Sequence, residues 1–278
     1  MKIGIVGLGL IGGSLGLDLR SQGYYIIGIS RKENTCKIAL ERGVVNRAST
    51  EFTALSDVEV VIMCTPISAI APTIKQTIPH LKSDTIITDV GSVKHSVVTE
   101  CSKLWSNFIG GHPMAGTAES GIDAAQADLF RNAAYVFTPT EKSNPENVEK
   151  LKAIALDLNA IPYICDAKVH DRAVSWISHL PVIVSASLIK ACLQEEPNTL
   201  QLAQILASSG FRDTSRVGGG NPELGVMMAK YNREELLRSL YNYRDNLDET
   251  IDLIEQSNWD SLEKILVANS AARPKFMN

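Results

Sequence analysis

The apolar positions of this chain change rhythm near residue 165. Before that point, short continuous runs such as Val58-Glu59-Val60-Val61-Ile62-Met63-Cys64 and Thr85-Ile86-Ile87-Thr88-Asp89-Val90 alternate with helical segments. Runs of this kind mark strands buried on both faces of a parallel sheet. They predict strands at residues 2–6, 24–29, 58–64, 85–90, 108–110, 134–138 and 161–165. Beyond residue 165 the strand signal stops, and helices are predicted at 167–194, 199–208, 223–230, 233–256 and 261–270. In the fourth of these, Leu236, Leu240, Tyr243, Leu247, Ile251 and Ile254 recur at steps of three and four, and Asn232 with Glu235 resembles a capping box. The first carries Pro181 in its interior, which frees the carbonyl of Ile177 and predicts a kink near Ser178 and His179. Such a kink either aims side chains into a cleft or only eases packing. Residues 182–193 are apolar on nearly every side of that helix, which predicts burial all round, and the run is too short to span a bilayer.

The first apolar run leads into a glycine loop. Gly7-Leu8-Gly9-Leu10-Ile11-Gly12 follows the strand and opens a helix predicted from Ser14 to Gln22, and a second strand follows. This is the context in which GxGxxG signals dinucleotide binding: Gly7 permits the tight turn, Gly9 lets the backbone approach a pyrophosphate, and Gly12 lets helix and strand pack closely. The predicted fold is therefore a Rossmann-type doubly wound parallel sheet, residues 1–165, followed by an all-helical dimerisation and substrate domain, residues 166–278. At the end of the second strand, where an NAD site usually places Asp or Glu about 20 residues after the glycines, the chain has Ser30, Arg31 and Lys32, with Thr35 one turn on. A hydroxyl and two cations suit a 2′-phosphate, which favours NADP; Glu33, in a slipped register, would favour NAD.

Composition narrows the function classes. With 278 residues, 45% hydrophobic and 21% charged, the chain reads as an ordinary soluble protein of two domains. A net charge of −4 gives no reason to expect nucleic acid. The five cysteines are scattered without CxxC spacing, which predicts reduced thiols, a cytoplasmic location and no metal site. The N-terminal strand is too short and glycine-broken to be a signal peptide.

Ligands of open parallel sheets bind beyond the carboxyl ends of the strands. Those ends carry Thr65 and Pro66, Gly91 and Ser92, and Gly111 and His112. His112 alone among the histidines stands at a strand end in a glycine-flanked turn. Its imidazole can accept a proton at neutral pH, as oxidation of an alcohol requires, or simply cap the turn. Ser92 can bond both a substrate hydroxyl and that histidine. By contrast, His80, His95 and His170 are expected to be solvated, and Asp89 to orient its turn as an acceptor. A second cluster, at residues 210–222, places Arg212 and Arg216 four apart beside hydroxyls and glycines. It reads as an anion clamp, or as a polar loop in which Arg212 pairs with Asp213.

Taken together, GLGLIGGSLG at 7–16, CTP at 64–66, DVGSVK at 89–94, GGHPMAG at 110–116, SHLP at 178–181 and GFRDTSR at 210–216 resemble the prephenate/arogenate dehydrogenases of tyrosine biosynthesis. The resemblance spans essentially the whole chain. It implies NADP- or NAD-dependent oxidative decarboxylation of a cyclohexadienol by a homodimer, with His112 as the catalytic histidine and Ser92 assisting it and contacting nicotinamide. It also implies Arg216 on the substrate's side-chain carboxylate, with Ser178, His179 and Arg212 lining the substrate site. Many prephenate-using members continue SHLP with a second histidine where this chain has Val182, and many have Glu where it has Ala118, with Glu119 one residue later. Neither a fused chorismate mutase segment nor a regulatory C-terminal domain is expected. These departures, with the NADP signal, favour L-arogenate over prephenate. A β-hydroxyacid or imine-type dehydrogenase would instead rely on a lysine of the helical domain, for which Lys190 is the buried-looking candidate, and an NADP sensor would need no catalytic group.

Overall fold

The structure, a computed structural model, describes residues 1–117 and 119–277. In chain order it comprises β1 (Lys2–Val6), α1 (Leu10–Ser21), β2 (Tyr25–Ile29), α2 (Glu33–Glu41), β3 (Arg47–Ser49), β4 (Val60–Met63), α3 (Ile67–Thr77), β5 (Ile86–Asp89), α4 (His95–Leu104), β6 (Phe108–Pro113), β7 (Ala134–Thr138), α5 (Pro145–Asp157) and β8 (Ile161–Ile164). The helices that follow are α6 (Ala167–Val174), α7 (Leu180–Cys192), α8 (Pro197–Leu206), α9 (Ser209–Ser215), α10 (Pro222–Tyr231), α11 (Arg233–Glu255) and α12 (Trp259–Ala272).

The eight strands form one sheet in the order β3-β2-β1-β4-β5-β6-β7-β8. Chain reversal beside β1, with β2 on one side and β4 on the other, makes the crevice above β1 the natural ligand site. Alternate residues of each strand feed opposite layers: Ile3, Ile5, Ile26 and Val60 pack with Leu15 and Leu19 on one face, and Val6, Ile27, Val61 and Ile87 with Ile70 and Ile74 on the other. The sheet departs from the expected all-parallel form at one step, because β7 runs antiparallel to β6. Residues 114–133 join them without a helix among the described residues, and a crossover helix is what normally returns a chain parallel. The short edge strand β3 carries no hydrophobic pattern by which it could have been foreseen.

Two compact units emerge, Met1–Asn232 and Arg233–Asn278. In the first, α6 and α7 form one helix interrupted by a π turn at Ser175–His179. That turn is the outcome of Pro181, whose missing N–H cannot serve the carbonyl four residues back; wider spacing absorbs the defect. The resulting 26-residue helix, Ala167–Cys192, is long and apolar enough by length and composition to cross a membrane, unlike the shorter run expected from sequence. Burial of residues 182–193 all round is not seen in the single chain either: Ala191 and Leu193 are exposed. The predicted helix start at Ser14 moves to Leu10, and residues 209–215, read as a loop, form α9. In the second unit α11 and α12 pack on one another. Asn232 forms no capping box; its side chain is engaged elsewhere, as described below.

Candidate active site

The glycine loop is shaped by contact on both sides of an opening. Gly7 has φ +102°, and a Cβ there would lie 2.5 Å from the Cys64 carbonyl oxygen. A Cβ on Gly12 would lie 2.0 Å from the Gly7 oxygen, whereas one on Gly9 would meet nothing within 4 Å. Gly9 thus faces open space at the start of α1, whose first turn has no side-chain cap and no acidic residue. This is an anion-binding helix start, and its shape fits the pyrophosphate of a dinucleotide. Leu8 lies in the loop, and Leu10 and Ile11 form the first turn of α1. Ser30 follows β2 directly, level with Gly7, whose N–H donates to Ile29 O. Arg31 is exposed and pairs with no carboxylate among the described residues, Glu33 opens α2, and Thr35 is half-buried within it.

Across the crevice, Thr65, before Pro66, and Ser92, after Gly91, hold buried hydroxyls without a partner among the described residues, just beyond the ends of β4 and β5. Orphaned hydroxyls of this kind are what a nicotinamide or a substrate would satisfy. Asp89 orients its turn as expected, accepting from the Gly91 N–H at 2.8 Å, and does more: it also accepts from the Gly111 N–H at 3.1 Å and pairs with fully buried Lys94. The Lys94 ammonium in turn donates to Gly111 O at 2.7 Å. Both polar groups of the residue before His112 are therefore held by one buried ion pair. Burial pushes the Lys94 amine down, against the pull of Asp89 and Asp171.

His112 lies within β6, paired opposite Val136 of β7, and not in a turn as the sequence suggested. The two glycines before it explain the extension: a Cβ on Gly110 would lie 2.5 Å from Thr138 Oγ1, and one on Gly111 2.6 Å from Asp89 O. Only glycine lets β6 run this far between its neighbours. His112 Nδ1 lies 2.9 Å from His170 Nε2, and His170 Nδ1 lies 2.8 Å from Asp171 Oδ1. Facing a carboxylate, His170 Nδ1 carries the proton, so its Nε2 accepts from the His112 Nδ1–H. His112 Nε2 is then left as a bare lone pair. Burial, reinforced by His170, Lys94 and His179, holds the His112 imidazole well below its ordinary range, so the ring is neutral at pH 7.

His170 overturns its reading as solvated; it is buried. Asp171 accepts from the Lys94 and His95 N–H groups at 2.7 and 2.8 Å, so it caps the start of α4 while orienting His170. The signal was present in the sequence: Ala167, His170, Asp171 and Val174 share one helix face, which places two polar residues on the buried side. His95 is exposed as expected.

Ser178, half-buried, and His179, buried, lie in the π turn. Burial pushes His179 down to about 4. The loop after α9 is clamped on α7, the Gly218 N–H donating to Ser185 Oγ at 2.8 Å. Arg212 is exposed and pairs with Asp213 at 3.4 Å, as one reading held, whereas Arg216 is exposed without an acidic partner among the described residues. Val182 packs toward Gly225 of α10. Lys190, the candidate base of the rival reading, is exposed. Ala118 lies outside the described residues.

Residues 15–163 match the prephenate dehydrogenase nucleotide-binding domain, and residues 166–268 the prephenate dehydrogenase dimerization domain. A prephenate dehydrogenase of Bacillus subtilis (strain 168) is 33% identical over 266 residues, covering 93% of this chain and 71% of the relative. The crystal structure of Synechocystis arogenate dehydrogenase is 53% identical, with a TM-score of 0.92 over 99% of this chain and 100% of that one. Prephenate dehydrogenase from A. aeolicus, solved with hydroxyphenyl propionate and NAD+, superimposes with a TM-score of 0.93 over 99% of this chain and 98% of that one; at 24% identity it speaks for the fold. The chain belongs to the prephenate/arogenate dehydrogenase family and is an oxidoreductase that uses a nicotinamide cofactor.

Proposed function

We propose that the protein converts L-arogenate to L-tyrosine by oxidative decarboxylation, with NADP+ as oxidant. The observation that carries this reading is the Asp171–His170–His112 chain, which leaves one basic nitrogen at the carboxyl end of the sheet. His112 Nε2 takes the proton of the ring hydroxyl as that carbon is oxidised to a carbonyl. The ring carboxylate then leaves as CO2, its bonding electrons restore aromaticity, and the phenolate oxygen recovers the proton from His112. Bound nicotinamide would supply the hydride acceptor. Arg216, without an acidic partner among the described residues, is assigned to the distal carboxylate, with Arg212, Ser178 and His179 around the substrate; such positioning is worth about several kcal/mol. Ser92 hydrogen-bonds the hydroxyl, and Gly7 to Gly12, Thr65, Pro66 and Gly91 border the cofactor.

NADP is favoured by Ser30 directly after β2, where an NAD site usually has an acid, and by Arg31 beside it, which pairs with no carboxylate among the described residues. Arogenate is favoured by Val182 and by the 53% identity to Synechocystis arogenate dehydrogenase. The second reading, prephenate as substrate, draws on curated relatives named prephenate dehydrogenase in Bacillus subtilis and Lactococcus lactis, at 33% and 34% identity. We assign residues 1–165 to cofactor binding and 166–278 to substrate binding and a homodimer interface, and place the enzyme in the cytoplasm, in keeping with its free cysteines. Incubating the purified protein with NADP+ or NAD+ and each substrate, while following absorbance of the reduced cofactor, tests the reading. Faster reduction of NADP+ with arogenate is expected; turnover of prephenate alone would transfer the assignment to the second reading.

A further inference from the structure

Asn232 is buried at the end of α10, and its side-chain nitrogen faces two atoms: the backbone oxygen of Asp171 at 2.8 Å and Nδ1 of His179 at 3.1 Å. The first contact settles which way round the amide lies, because a carbonyl oxygen only accepts and must be met by the NH2 group. That same nitrogen can only donate to His179. His179 Nδ1 is therefore an acceptor, and the ring proton sits on Nε2. This Nε2 is buried and meets no acceptor among the described residues, on a residue only 1% exposed. A buried N–H without a partner is costly, so an unfilled donor at this depth points to a ligand that receives it.

We propose that His179 is an uncharged hydrogen-bond donor to an oxygen of the cyclohexadienol substrate, and that Asn232 is the positioning residue that fixes its tautomer. The inference rests on the proposed reaction. Two neighbouring histidines are thereby locked in opposite states by opposite partners: His170 leaves His112 with a bare Nε2 that accepts, and Asn232 leaves His179 with an Nε2–H that donates. Burial keeps the His179 ring neutral at working pH. A neutral donor suits an acid that must lose its ring carboxylate as CO2, since it orients an oxygen without pinning the charge that has to disappear.

The tautomer is read directly by 15N NMR of the full-length protein labelled at histidine. Wild type is expected to show a protonated Nε2 and a bare Nδ1 at His179. Asn232→Asp, which puts an acceptor before Nδ1, is expected to shift the proton to Nδ1 or protonate both nitrogens. A wild-type spectrum with Nδ1 protonated overturns the proposal. Kinetics give a second test that needs no change at Asn232. His179→Gln keeps a neutral N–H near the Nε2 position and should exceed His179→Leu in kcat/KM by about tenfold or more. Equal losses in the two variants overturn the donor role. If the parent enzyme turns over neither arogenate nor prephenate, the proposed reaction fails, and with it the acceptor assigned to His179, whereas the tautomer is decided by the spectrum alone.

Discussion

The sheet and the helices beyond residue 193 put the same apolar residues to opposite uses. Ile3, Ile5, Val60 and Ile87 are completely buried between layers of their own chain, whereas Ile205, Val226 and Phe276 are 72%, 65% and 70% exposed. Leu202, Leu206, Leu247, Ile251, Ile254 and Val267 extend the contrast. Periodicity tells which face of an element is apolar; it does not tell what covers that face. A soluble chain rarely leaves so much apolar surface bare, and the family match over residues 166–268 is to a dimerization domain. A second copy is the cover we propose, so one region would be complete in a single chain and the other only in a pair.

The largest expected effect falls on the complete region, which holds the base. His112→Asn keeps a polar side chain on β6 but removes the basic nitrogen, and general-base catalysis is typically worth about 10²–10⁴-fold. Turnover should fall by that factor while nicotinamide cofactor binding, measured by fluorescence titration, stays within a few-fold. Retention of most activity would mean that another group takes the proton.

Next in size are two substitutions that set the regions against each other. Leu15→Ala opens a cavity in the layer beneath β1 and should cost about 2–5 kcal/mol of unfolding free energy, whatever the protein concentration. Ile205→Glu removes no buried contact of the single chain, so a lone chain would lose little. In a pair it should weaken association and make the melting temperature depend on concentration. Sedimentation at low micromolar concentration reads the state directly: wild type at twice the chain mass, the variant shifted toward one. A wild-type species at the mass of one chain would end the dimer proposal.

How much was legible in the sequence follows the same division. The central strands and the glycine loop were readable because their pattern is local and their partners lie in the same chain. His112 was found through its place at a strand end, but as a turn residue, because the pairing with β7 that extends β6 is not local. His170 and Asp171 were missed because a charged neighbourhood, Lys168 to Arg172, looks solvated until the buried face shared with Ala167 and Val174 is considered. Asn232 was read as a cap because its sequence context suits one; its true partners lie 53 and 61 residues away. Lys94 gave no sign of burial, since a lysine enters a core only with a paired acid, here Asp89.

A smaller effect is expected at the rim of the cofactor crevice. Arg31→Ala should weaken NADP+ by about 1.5–3 kcal/mol, the range of hydrogen bonds to charged groups, and leave NAD+ unchanged, because only the 2′-phosphate would meet the guanidinium. Dissociation constants for both cofactors check this. Equal losses for the two would show that Arg31 serves the loop and not the phosphate.

The mildest effect is one of pH, and it too separates the regions, because all five histidines stand at or before residue 179 and the outer helices have none. Burial holds His112 well below 6.5 and His179 at about 4. Between pH 6.5 and 4 the unfolded chain binds protons at these positions that the folded chain refuses, so stability is complete above 6.5 and declines as the pH falls through that window. The slope is at most about 1.4 kcal/mol per pH unit for each histidine. Melting temperatures at pH 7.5, 5.5 and 4.5 should fall in that order, and His179→Gln should flatten the decline. On the same grounds the acid limb of kcat/KM, which reports the free enzyme's base, should lie below pH 6.5. A limb at or above 6.5, or a melting temperature that rises on acidification, would mean that the histidine cluster is far wetter than its burial implies.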